Sequence, residues 1–90
     1  MPERRTRHQI IADILALMQR KGGTVKPTHI LYGGNLSHDR LKTYLQELEQ
    51  ANFIQKVEEK DRIFYKLTDK GYGFLAEFKK IEQITEAFGI

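Results

Sequence analysis

Apolar side chains recur along the chain at two periods, and the change from one to the other marks out its elements. Ile10, Ile11, Ile14, Leu15, Leu17 and Met18 fall at helical spacing and form a broad stripe. The helix they predict begins near Thr6, where Thr6-Arg7-His8-Gln9 has the form of a capping box. In that motif hydroxyl and amide each satisfy an orphan backbone N–H. Gly22-Gly23 should end this helix with a left-handed cap, and Thr24-Val25-Lys26 leaves room for a minimal edge strand. A short second helix is predicted over residues 28–32, with Pro27 tolerated at its entrance. Gly33-Gly34-Asn35 follows as a turn, since all three residues accept positive φ better than others do.

Ser37 is placed to cap a third helix running to about residue 51, with Asp39 at the positive end of its dipole. Leu36, just before the cap, is positioned to staple against Leu41. Leu41, Tyr44, Leu45 and Leu48 share one face, while Asp39, Thr43, Gln46, Glu47 and Gln50 point away and Arg40 and Lys42 flank them. The period then shifts to two. Residues 53–57 and 63–67 read as strands around the charged turn Glu58-Glu59-Lys60-Asp61-Arg62, with Ile63, Tyr65 and Leu67 alternating against Phe64 and Lys66. A fourth helix should start after Thr68 and reach about Phe88. Along it Gly71, Phe74, Phe78, Ile81, Thr85 and Phe88 step by three and four in a heptad register. Helix, hairpin, helix in this order is the back half of a winged helix-turn-helix.

With the elements placed, the chain resembles small archaeal winged-helix DNA-binding proteins, regulators and chromatin-type proteins that dimerise through a C-terminal helix. The resemblance rests on the run from Arg5 to Leu15, on Thr28-His29-Ile30-Leu31-Tyr32-Gly33-Gly34-Asn35-Leu36-Ser37, and on Leu41-Lys42-Thr43-Tyr44-Leu45. It ends with Tyr65-Lys66-Leu67-Thr68-Asp69-Lys70-Gly71 and Phe74-Leu75, and so covers nearly the whole chain. It implies an α+β, mainly α fold: a three-helix core, a two- or three-stranded wing hairpin and a long C-terminal dimerisation helix. Residues 1–78 would form the domain with its basic N-terminal arm. Residues 68–90 would form the last helix, its outer part a coiled-coil-like dimerisation segment. The function implied is double-stranded DNA binding as a homodimer, with the third helix in the major groove. The protein would be a transcriptional regulator or chromatin-associated factor.

Composition narrows the alternatives. Ninety residues make one domain, marginal as a monomer. The absence of cysteine excludes a disulfide framework, a zinc ribbon and thiol catalysis. No apolar run approaches the roughly 18 residues of a membrane span, and no secretory stretch follows the N-terminus, so a cytoplasmic, nucleoid-associated protein is expected. The net charge of +3 is unevenly placed. Residues 1–26 hold six bases (Arg4, Arg5, Arg7, Arg20, Lys21, Lys26) against Glu3 and Asp13, whereas the rest holds nine bases and ten acids. A basic arm of this kind contacts phosphates or a minor groove; the alternative is a solvated terminus.

The candidate DNA contacts follow. His38, Arg40, Lys42, Thr43 and, a turn on, Gln46 occupy the part of a recognition helix that reaches base edges. Arg and Lys suit guanine, Gln suits adenine, and the Thr methyl meets a thymine methyl. Arg4, Arg5 and Arg7 in the arm and Lys60 and Arg62 in the wing are candidate phosphate contacts. Ser37, at a helix N-terminus, can cap the helix and also face a phosphate. Against this, the third helix carries Asp39, Glu47 and Glu49 and so a net negative charge, which favours a rival reading as a protein-interaction module. RNA binding stays open as a third reading. Tyr32, Tyr44, Phe53, Phe64 and Tyr65 are expected in the core or at its edge rather than as base-stacking platforms. His8, His29 and His38 share no metal-ligand spacing, no Ser/His/Asp set stands out, and the acids read as a solvated face. Neither enzyme, cofactor nor small-molecule ligand is evident. Phe78, Ile81, Ile84, Thr85 and Phe88 are the expected dimer seam, the alternative being a frayed tail.

Overall fold

The computed structural model describes residues 5–89. Its elements in chain order are α1 (Arg7–Arg20), β1 (Thr24–Val25), α2 (Pro27–Gly33), α3 (His38–Gln50), β2 (Ile54–Glu59), β3 (Arg62–Leu67) and α4 (Asp69–Ala87). The strands form one antiparallel sheet of order β1-β3-β2. This is the winged helix-turn-helix arrangement expected, with a three-stranded wing.

Three side chains set the helix starts. Thr6 accepts from the Gln9 N–H at 3.1 Å while the Gln9 amide accepts from the Thr6 N–H at 2.8 Å, completing the capping box. Ser37 accepts from the Arg40 N–H at 3.3 Å. Thr68 accepts from the Gly71 N–H at 3.1 Å and donates to the Asn52 carbonyl at 2.6 Å, so it both caps α4 and ties it to the end of α3. At the other end of α1, Gly22 and Gly23 adopt φ of 92° and 94°, and the Gly23 N–H reaches back to the Met18 carbonyl at 2.8 Å.

The core is built from one face of each element. Ile10, Ile14, Leu15 and Met18 of α1 meet Ile30 of α2, Leu41, Leu45 and Leu48 of α3, Val25, Ile54 and Leu67 of the sheet and Leu75 of α4. Among the described residues no buried side-chain nitrogen or oxygen lacks a partner. Gly71 is where α4 enters this core. A Cβ there would lie 2.3 Å from the Phe53 carbonyl oxygen and 2.7 Å from Leu67 Cδ1, so only glycine admits so close an approach.

The structure corrects several expectations. The turn after α2 uses the left-handed region only at Asn35, with φ 54°. Gly33 is the last residue of α2, and a Cβ on it would meet Leu17 at 2.8 Å; it is small for packing against α1, not for turning. The charged stretch expected as a long turn is mostly strand. Glu59 pairs with Arg62 across a two-residue loop whose corner, Lys60, takes φ 54°. Ile63 shares a face with Tyr65 and Leu67 but is 43% exposed, because it lies further along the hairpin than the core extends. Tyr32 is no core residue at all. It is 80% exposed, since Ile30 and Leu31 already occupy the buried side of so short a helix.

Along α4 the apolar register divides. Phe74 stacks on Phe53 at 4.9 Å between ring centroids and Phe78 follows at 6.2 Å, both partly buried against the core. Ile81, Ile84 and Phe88 are 60%, 58% and 77% exposed. Thr85 donates to the Ile81 carbonyl at 2.8 Å within the helix. No helix among the described residues is long and apolar enough to cross a membrane.

Candidate nucleic-acid interface

The outward side of α3 is the focus, because the short turn after α2 fixes its start and the core fixes its roll. With Leu41, Leu45 and Leu48 buried, helical geometry turns Asp39, Thr43, Gln46, Glu47 and Gln50 to the outside. A cleft flanks each side of this ridge. On the sheet side, a hollow of about 510 Å³ is bordered by His38, Lys42 and Gln46 of α3 and by Lys56, Ile63 and Tyr65 of the hairpin. Opposite it, a cleft of about 320 Å³ is lined by Arg7, Asp39, Arg40, Thr43, Tyr44 and Glu47.

The expected site residues therefore separate into groups. His38, Lys42 and Gln46 share the sheet-side hollow, while Arg40 and Thr43 face the other cleft, beside Arg7. Ser37 lies at the helix start as its cap. Lys60 and Arg62 line a separate hollow at the hairpin tip with Glu59 and Phe64. Arg4 lies outside the described residues.

The basic arm is less free than the sequence implies. Arg5 donates to Asp13 at 2.7 Å and to the Gly34 carbonyl at 2.9 Å, so it staples the start of α1 to the end of α2. Arg7 donates from Nε and Nη2 to the same carboxylate oxygen of Glu47, at 3.2 and 2.6 Å. That hydrogen bond, and then the charge of Glu47, raises the pKa of the Arg7 guanidinium. Tyr65 at the floor of the sheet-side hollow is also raised, chiefly by burial.

Two residues at the surface were missed. Lys56 stands directly across from Tyr65 in the β2–β3 register, on the same sheet face, and so joins the α3 hollow. Its signal was its place two residues after the buried Ile54, which is decisive only once the register is known. Tyr32 is the other, exposed at the end of α2, and its adjacency to Ile30 and Leu31 argued for the wrong side. Among the described residues no group of three or more His, Cys, Asp or Glu side chains is arranged to hold a metal ion.

The profile of the winged helix-turn-helix family matches residues 4–86. Sso10a-2, a DNA-binding protein from Sulfolobus solfataricus, superposes with a TM-score of 0.82 at 24% identity, over 93% of this chain and 85% of that one. AF1382 from Archaeoglobus fulgidus gives a TM-score of 0.73 at 20% identity, over 90% of this chain and 91% of that one. MepR, a transcription regulator of the Staphylococcus aureus multidrug efflux pump MepA, gives 0.76 at 17% identity. There the match covers 88% of this chain but only 60% of MepR. At such identities the likeness is one of fold. No curated protein shows significant sequence similarity to the chain.

Proposed function

We propose, from the premise that this chain belongs to the winged helix-turn-helix family, that it binds double-stranded DNA as a homodimer and acts as a transcriptional regulator or chromatin-associated protein. The observation that carries this reading is the exposed outward ridge of α3, set beside a polar hollow of mixed charge on the wing side. His38, Lys42, Gln46 and Lys56 line that hollow together with Asp39 and Glu49. In this account α3 enters the major groove, where Lys42 and Arg40 reach guanine and Gln46 reaches adenine. Lys60, Arg62 and the N-terminal Arg4 hold phosphates, which positions the domain without reading sequence. The outer turns of α4 pair two copies through Ile81, Ile84, Thr85 and Phe88, and Phe78 closes the seam from the core side. The protein works by binding, in the cytoplasm on the nucleoid, and not by catalysis.

Anisotropy titrations of a random duplex at several salt concentrations test this. If about six phosphates are neutralised per dimer, log K against log salt should slope near −5. A slope shallower than about −2 would remove the DNA reading in this form. One observation favours the second reading, a protein-interaction module: α3 itself carries two bases, Arg40 and Lys42, against Asp39, Glu47 and Glu49. The same titration decides it, because such a module leaves the duplex unbound at low salt.

A further inference from the structure

We propose that Arg7 is the resident counter-ion of Glu47, masking an acidic side chain on the outward side of α3 so that the helix can approach phosphates. The inference rests on the double-stranded DNA reading above and assigns Arg7 a positioning role within it. Glu47 shares one cleft with Asp39, Thr43 and Arg40, the last of which reaches guanine in that reading. A bare carboxylate there repels the phosphates it approaches. Arg7 reaches it from 40 residues away in sequence and places both Nε and Nη2 on one of its oxygens. The contact is made by the first residue of α1, a helix start held by the Thr6 capping box and by the buried Ile10 and Ile11 behind it. The cation is therefore delivered by the fold rather than by a loose arm.

The pair is open to water, with side-chain exposures of 58% for Arg7 and 36% for Glu47. Exposed pairs contribute little to stability, so its consequence is for the field outside the protein. Counting Arg7 with α3 turns a helix of net negative charge into a neutral one. On this account the arginine is not an independent phosphate contact, although its sequence position in a basic arm invites that assignment.

A mutant cycle on the full chain tests this, with a random duplex as probe and anisotropy as readout. Arg7→Ala should weaken binding about three- to tenfold by baring Glu47. Glu47→Gln should bind no more weakly than the wild type, and the double variant should return to within about twofold of it. Thermal melting of each variant confirms that all are folded. Rescue by the second substitution is what a merely structural role, or a direct phosphate contact, does not produce. An equal loss from Arg7→Ala in the wild-type and Glu47→Gln backgrounds overturns the masking role and makes Arg7 a direct contact. No loss from Arg7→Ala overturns it as well. In both cases the wild type still binds DNA and the wider reading stands, whereas a wild type that ignores the duplex ends both.

Discussion

The two halves of α4 carry the same three-and-four apolar register but meet different surroundings. In the inner half Leu75 is buried, Gly71 lets the helix touch the Phe53 backbone, and Phe74 stacks on Phe53. The outer half leaves Ile81, Ile84 and Phe88 more than half exposed. From Phe78 to Phe88 the helix projects about 15 Å at its standard rise, past what the small core can cover. Periodicity thus marks an apolar face without saying what covers it. In a chain of 90 residues, an uncovered stripe of this kind is an unusual patch that a second copy would bury.

The largest effects should fall on the inner half. Leu75→Ala should cost roughly 2–5 kcal/mol, read from urea unfolding. Gly71→Ala should cost about 1–3 kcal/mol, because a backbone oxygen stands where the Cβ would go. If either variant is as stable as the wild type, the inner half is not packed as described. The outer half should answer differently: Ile81→Glu with Phe88→Glu should leave a folded chain with wild-type helical content, seen by circular dichroism, that sediments as a monomer. Loss of folding in that variant would erase the distinction between the halves.

The caps sharpen the same contrast at smaller scale. Thr68→Ala removes both the α4 cap and the bond to Asn52, and should cost about 1–2 kcal/mol. Ser37→Ala removes one long hydrogen bond and should cost about 0.5–1 kcal/mol. A reversed order in thermal melts would show that α4 is not anchored at its start.

The smallest effect concerns Tyr65. Burial first, with a further push from Glu49 and an opposing one from Lys56, lifts its pKa above the ordinary 10.0. The unfolded chain then releases this proton before the folded one does, so stability falls as pH rises beyond 10. Tyr65→Phe should flatten that alkaline decline, measured as melting temperature against pH. An unchanged decline would assign it to other groups.

The sequence was most legible where the chemistry is local. The caps at Thr6 and Ser37, the start of α4 after Thr68, the buried stripe of α1 and the strand alternation each depend on residues a few positions apart. It was least legible where partners are distant. Arg5 and Arg7 read as a free basic arm because Gly34 and Glu47, which hold them, lie 29 and 40 residues away. Lys56 enters the interface only through the hairpin register, and Tyr32 leaves the core only through the orientation of a two-turn helix. The distribution of charge around α3, and hence much of the candidate site, is a tertiary property.

Whether α4 links two DNA-binding domains is the claim on which the account turns. Sedimentation with a fluorescent duplex, for the wild type and for the Ile81→Glu, Phe88→Glu variant, tests it directly. The account predicts two wild-type protomers per duplex, and a monomeric variant that binds about a hundredfold more weakly because the second half-site is no longer tethered. A wild type that is monomeric at micromolar concentration and binds no more tightly than the charged variant would contradict it.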